Sequence, residues 1–335
     1  MVRYIQIVCL LLCLDFVQAQ DPHFSQFFAS PLTLNPANTG NFSGRLRVAG
    51  NYRNQWPDFG NAYITSTIAV DGSLFRKSIP KSDKFSAGLV LLADQTGNGI
   101  LKENHVLLSA AYTKSLDANG HQSITLGFQG GMGNYLFDAD KANFEDEISP
   151  SGFTIPTSEI LLGRDLNKHF FDVHTGILYK LNIDNDNGIY VGASLYHLAK
   201  PNFGFNSNHY TLQHRFNIHG GGFMQLGYLT TLHTSFQYQK QFNYKALVVG
   251  AAISRVVVDK MNTSTELYLG AWIRNKDSFI PYLGVEWNNL RAGFSYDYKY
   301  SNKNATPLSF QSTEVSLSWI LANSIDAAGI KCPKF

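Results

Sequence analysis

From Leu290 to Tyr300 the chain alternates strictly. Leu290, Ala292, Phe294, Tyr296, Tyr298 and Tyr300 occupy one face of a strand, and Arg291, Gly293, Ser295, Asp297 and Lys299 the other. Side chains along a strand point to opposite faces with period two, so one face is apolar and aromatic and the other polar. The pattern recurs at Ile124, Leu126 and Phe128 against Ser123, Thr125, Gly127 and Gln129, and at Val315, Leu317 and Trp319 against Glu314, Ser316 and Ser318. It predicts fourteen strands, over 45–54, 61–72, 84–93, 105–115, 121–133, 171–183, 188–198, 215–226, 230–241, 245–257, 264–274, 279–287, 290–300 and 311–320. Segments of about 9–11 residues match a bilayer crossed at a tilt. An all-β fold follows: a transmembrane antiparallel β-barrel of about 14 strands, with lipid outside and a polar lumen.

The connections form a second, independent pattern. With an even strand number both termini lie on the periplasmic side of an outer membrane, and connections after even strands are short. Asp117-Ala118-Asn119-Gly120, Asp184-Asn185-Asp186-Asn187 and Asn288-Asn289 fit this, being turn residues for which positive φ is cheap. The long connections 134–170, 199–214 and 301–310 follow odd strands. The link 73–83 is longer than its place predicts.

Residues 20–44 lack alternation and precede the barrel. This leader contains Phe24, Phe27 and Phe28 and two prolines, Pro31 and Pro36. Asp21-Pro22 is expected to open a helical turn through Phe28, which Pro31 ends. The three phenylalanines are expected to plug the periplasmic mouth of the barrel. Ahead of the leader, Arg3, the apolar run Ile5 to Leu14 and Val17-Gln18-Ala19 form the three parts of a secretion signal. The expected organisation is a signal peptide over 1–19, a leader or plug over 20–44, a barrel over 45–321 and a tail over 322–335.

Composition narrows the reading. Charged residues are 16% of the chain, against roughly 25% in soluble domains, and aromatics are 13%. A net charge of +2 gives no basis for nucleic-acid binding. Removal of 1–19 takes Cys9 and Cys13 and leaves Cys332, so no internal disulfide can form.

The predicted inner face carries Arg45, Arg47, Arg53, Asp71, Arg215, Glu266, Arg274, Glu286, Arg291, Asp297 and Glu314. Glu266 and Glu286 on neighbouring strands could be read as an acid–base pair. Mutual neutralisation of a polar lumen accounts for the same residues without catalysis. The ten histidines show no ligand spacing and no nucleophile motif is present, so neither metal, cofactor nor enzymatic activity is expected.

The leader Gln20-Asp-Pro-His-Phe-Ser-Gln-Phe-Phe-Ala-Ser-Pro-Leu-Thr-Leu-Asn-Pro-Ala37 resembles the N-terminal signature of the PorP/SprF family. The resemblance continues through Asn51-Tyr-Arg-Asn-Gln-Trp-Pro57, Ser194-Leu-Tyr-His-Leu-Ala-Lys-Pro-Asn202, Tyr296-Asp-Tyr298 and Cys332-Pro-Lys-Phe335. It implies an outer-membrane protein of type IX secretion and gliding, working with other components of that machinery. It further implies a role in export or surface anchoring of cargo, such as adhesins, bearing a gliding-type C-terminal domain. A passive porin or small-solute channel is the alternative. The long connection 134–170 is the expected partner-binding site, through acidic Asp138, Asp140, Glu145, Asp146 and Glu147 and aromatic Phe137, Phe144 and Phe153; its outward position and that of 199–214 follow from the strand count.

Overall fold

The computed structural model describes residues 21–57, 63–75, 80, 83–157, 165–184, 186–202, 211–260, 263–300 and 311–321. The expected signal peptide and C-terminal tail, Cys332 included, lie outside the described residues.

Fourteen antiparallel strands close into a barrel: β1 (Leu46–Gln55), β2 (Tyr63–Leu74), β3 (Lys84–Thr96), β4 (Leu101–Ser115), β5 (Gln122–Asp138), β8 (Asp165–Asn182), β9 (Gly188–Tyr196), β10 (Arg215–Gly227), β11 (Thr230–Gln241), β12 (Tyr244–Lys260), β13 (Thr263–Arg274), β14 (Ser278–Trp287), β15 (Leu290–Lys299) and β16 (Ser312–Leu321). Each strand pairs with its neighbours in sequence, and β1 with β16 closes the ring, Leu46 opposite Leu321 and Gln55 opposite Ser312. Closure leaves the barrel no open edge. Two further short strands, β6 (Ile148–Ser149) and β7 (Gly152–Phe153), form a separate hairpin in the excursion between β5 and β8.

Alternation sorts side chains as the bilayer requires. Leu108 is 68% and Leu269 67% exposed on the outside, whereas Val90 and Thr65, on the other face, are 0% exposed. A soluble barrel would reverse this. Pro281 in β14 faces outward, and there the β14–β15 ladder skips from Tyr282–Ser295 to Phe279–Tyr298, because proline has no N–H to donate.

Three expectations need correction. The strands β3, β4, β5, β8 and β12 run further than the alternation suggested. β5 has 17 residues and β8 18, against 9 in β9. Their extra length stands beyond the neighbouring strands, so one wall of the barrel is taller. The connection after β5 shrinks to 139–164, and Phe137 and Asp138 belong to β5, paired with Leu166 and Asp165. The link between β3 and β4 reduces to the tight turn at 97–100. In the leader, Pro31 does not end a helix but opens one: 3-10 turns at Phe27–Ala29 and Pro36–Asn38 flank a single α-turn, Pro31–Leu34. Proline's fixed φ suits the first helical position, where its missing N–H has no partner to lose.

Candidate functional site: the lumen and the leader within it

The leader threads the barrel lengthwise. The barrel has one end with mostly short turns, where Arg45 leads into β1, and one with the long connections after β5, β9 and β15. Asp21 lies at the long-connection end, its N–H donating to the side chain of Gln241, the last residue of β11 (3.0 Å). The chain then descends to the short-turn end, where the Gly40 N–H donates to Asp71 (2.6 Å). Asp21 and Leu321 therefore stand at opposite ends of the barrel.

Every step of this path has partners on the wall. The Ser25 and Gln26 amides donate to the two oxygens of Glu314 (2.7 and 3.1 Å). The Ser25 hydroxyl donates to Asp297 (2.6 Å) and accepts from Arg274 (2.7 Å). Gln26 donates to Ser295 (3.0 Å) and accepts from Ser316 (2.6 Å). Asn35, 0% exposed, donates to the carbonyls of Ile177 (3.0 Å) and Ala193 (3.2 Å), while its side-chain oxygen caps the following turn at the Ala37 amide (2.8 Å). Ser194 and Asn217 both donate to the Leu34 carbonyl (2.9 and 2.7 Å). A short irregular segment has no strand partner for its backbone, so these side chains supply what a ladder would.

The wall is notched to receive the segment. A Cβ on Gly127 would overlap the Pro36–Ala37 peptide, and one on Gly176 would overlap the Asn35 side chain. Glycine is needed at these two positions for close backbone approach, not for turn geometry.

Phe24 and Phe27 are buried and Phe28 is half-buried. Phe28 packs on Trp272 (4.8 Å between ring centroids) and Tyr282 (5.4 Å), and Phe27 joins Trp272, Tyr268, Ile280 and Tyr282 in an apolar cluster inside the barrel. These rings stand within the lumen, not at the mouth through which the chain enters β1.

The inner-face charges are mutually engaged. Arg53, 1% exposed, donates to Asp297 (2.8 Å) and to the His23 carbonyl, and its Nε lies 4.0 Å from Glu314. Arg47 makes a two-pronged contact with Asp71 (2.9 and 2.8 Å). Arg291 donates to Glu286 (2.7 Å), and the Tyr268 hydroxyl is within hydrogen-bond distance of both Glu266 (2.7 Å) and Glu286 (3.1 Å). Glu266 and Glu286 are thus paired across strands, but with an arginine and a tyrosine on them. Arg45, one residue before β1, is exposed.

The residues expected to bind a partner fall into two groups. Phe137 and Asp138 are half-buried in β5, with Lys141 Nζ 3.4 Å from Asp138. Asp140, Glu145, Asp146 and Phe153 are exposed on the excursion, and Phe144 and Glu147 half-exposed. The excursion is tied mainly to itself: Thr157 donates to Asp146 (2.7 Å), the Phe144 amide to Glu147 (2.9 Å), and Ser149 and Thr154 share a hydrogen bond (2.6 Å). It exposes Ile148, Phe153 and Ile155. Of the second long connection, 203–210 lie outside the described residues.

One cluster was not foreseen. Asp172 and His174 of β8 meet His197, just past β9, and Asp21 of the leader. His197 Nδ1 contacts Asp172 and Nε2 contacts Asp21, and Arg215 stands 3.3 Å from Asp21. Against the effect of burial, Asp21 and Asp172 push the His197 imidazole up to about 9. Likewise, although burial opposes ionisation, His197 and Arg215 hold Asp21 well below the usual carboxylate range. The available signal was two liganding residues at i and i+2 on one strand face; no sequence spacing connects them to 21 or 197.

Between the leader and the wall, toward the short-turn end, remains a cavity of about 220 Å³ lined by Phe28, Leu34, Tyr190, Tyr282, Arg47 and Arg291 among others.

Solved barrels resemble this fold. The toluene transporter TbuX of Ralstonia pickettii superposes with a TM-score of 0.50 at 12% identity, covering 88% of this chain and 94% of its own. A Pseudomonas aeruginosa FadL homologue gives 0.48 at 10% identity, covering 87% and 94%. At 12% identity the likeness to TbuX shows the barrel fold alone. No curated protein sequence matches. The model of the type IX secretion system membrane protein PorP/SprF family matches residues 16–318, and with most of the barrel and the whole leader inside that match, the chain belongs to the PorP/SprF family.

Proposed function

We propose that this protein is a non-enzymatic, self-plugged barrel of the type IX secretion and gliding machinery that supports export or surface anchoring of a partner protein. The observation that carries this reading is the leader bound along the length of the lumen. A pore occupied by its own chain through buried ion pairs is poorly suited to passing solutes, which moves function to the rim. Long connections commonly carry function. The excursion 139–157 offers acidic side chains for steering and exposed Ile148, Phe153 and Ile155 for anchoring. The partner is an exported protein with a gliding-type C-terminal domain, and the long-connection end faces outward. Replacing 139–164 with a short Gly-Ser linker is expected to leave the barrel assembled and release the partner into the medium. A partner that stays cell-attached in that variant rejects the excursion as its docking site.

A second reading, a small-solute channel, has one observation in its favour: the 220 Å³ cavity beside the leader, with tyrosines and arginines in its lining. Ion conductance by the intact barrel in planar bilayers would support it.

A further inference from the structure

We propose that Asp172, His174 and His197 hold one divalent transition-metal ion of the zinc type, and that this ion clasps the leader to the barrel wall through Asp21. The three side chains are buried, and one ligand atom of each lies within 4.8 Å of the others. Ligands about 2.0–2.2 Å from a tetrahedral ion stand roughly 3.3 Å apart. His174 Nε2 is 3.8 Å from Asp172 Oδ2, and His197 Nδ1 is closer to that same oxygen. Side-chain adjustments on the order of 1 Å therefore make a site.

The surroundings suit an ion at His197 Nδ1. A ligating imidazole characteristically gives its other N–H to a carboxylate, which fixes its tautomer and orientation; His197 Nε2 is already against Asp21. Without an ion, His197 must carry two protons to satisfy both carboxylates. With one, the Nδ1 proton passes to solvent and the Nε2 proton stays on the ring, donated to the Asp21 carboxylate. The backbone of His197 adds a separate observation. Its φ is +61°, a left-handed conformation that a non-glycine residue keeps only where its surroundings hold it. Two imidazoles and one carboxylate select a zinc-like ion over calcium or magnesium, which prefer six or more oxygens. Two carboxylates, Arg215 and a dication sum to one positive charge, so the fourth position takes water or a small anion.

The opposing cost is local. The His197 amide donates to His174 Nδ1 (3.1 Å). A His174 ring ligating through Nε2 carries its proton on Nδ1 and must turn away from that amide.

The test uses the full-length barrel in detergent, stripped with chelator, dialysed against zinc chloride and assayed for bound metal. The wild type is expected to retain one zinc per barrel. Asp172→Asn and His174→Ala are expected to lose it while remaining heat-modifiable barrels. Asp21→Asn should bind about 10–100-fold more weakly, as outer-sphere carboxylates do; unchanged affinity there rejects the clasp. Wild-type protein that retains no more zinc than the Asp172→Asn/His174→Ala double variant overturns the site. Cobalt substitution of the wild type keeps the test independent of any variant's folding. Intense visible bands of four-coordinate cobalt are expected, and a weak octahedral spectrum rejects the geometry.

Discussion

Two segments leave the barrel ladder, and they are held in opposite ways. The leader, 21–44, is short, carries two prolines and is buried almost throughout. Its backbone and side chains are bonded to β1, β2, β3, β4, β5, β8, β9, β10, β11, β13, β15 and β16, at sequence separations up to 290. The excursion, 139–157, is similar in length and largely exposed, and its hydrogen bonds span mostly 11 residues or fewer. The leader is therefore part of the fold and cannot be removed without exposing buried charge. The excursion is an appendage whose loss the barrel should survive. On the proposed reading, closure belongs to the first and partner contact to the second.

Four experiments bear on that contrast, taken by size of effect. Arg53→Ala leaves Glu314 without its arginine while Asp297 keeps Arg274 at 3.2 Å, and breaking a buried pair costs about 3–5 kcal/mol; the unfolding midpoint in denaturant should fall accordingly. An unchanged midpoint would mean the leader's anchor contributes nothing. Gly127→Val sets a side chain into the Pro36–Ala37 peptide, and overpacking costs about 1–3 kcal/mol. Its expected signature is selective: the leader becomes protease-sensitive while the barrel stays heat-modifiable. A third experiment is pH, with the protein in chelator. His197 is raised in the folded state, to about 9, so its contribution is fully present below its ordinary value of 6.5 and is lost as pH rises through 9. Asp21 is depressed, so its contribution is present above 3.8 and is lost only in strong acid. The groups facing His197 are Asp21, Asp172, His174, Tyr196, His214 and the Arg215 that pairs with Asp21. Hydrogen exchange at residues 21–24 should accordingly quicken as pH rises past 9, beyond the intrinsic base dependence, and His197→Gln should abolish the excess. Smallest of all, Phe153→Ser on the excursion should move stability by no more than about 0.5 kcal/mol, as surface substitutions do. A larger loss would make the excursion structural after all.

How much of this was visible beforehand follows from what each pattern encodes. Alternation reports which face a residue takes, so the strands, their order and the inward placement of Arg47, Arg53, Glu286, Arg291, Asp297 and Glu314 were legible. Strand ends were less so, because β5 and β8 continue past the end of β9, where polar Asn134, Asp138 and Asn167 stand on the outward face. The leader's route was not legible. Residues 21–44 carry no period, and their partners are scattered residues on twelve strands, so nothing local distinguishes a plug at the mouth from a chain running the full lumen. Gly127 and Gly176 read as ordinary strand glycines until Pro36, Ala37 and Asn35 are seen in their space. The meeting of Asp21, Asp172, His174 and His197 depends on that same route, and could not precede it.

The central claim is that the leader closes the lumen, and ion conductance addresses it most directly. Full-length barrel and a variant lacking residues 21–40, each reconstituted in planar bilayers at equal amounts of heat-modifiable protein, should differ in kind. The account predicts a silent full-length protein and stable conducting channels from the truncated one. Equal conductance from the two, whether both open or both closed, would contradict it.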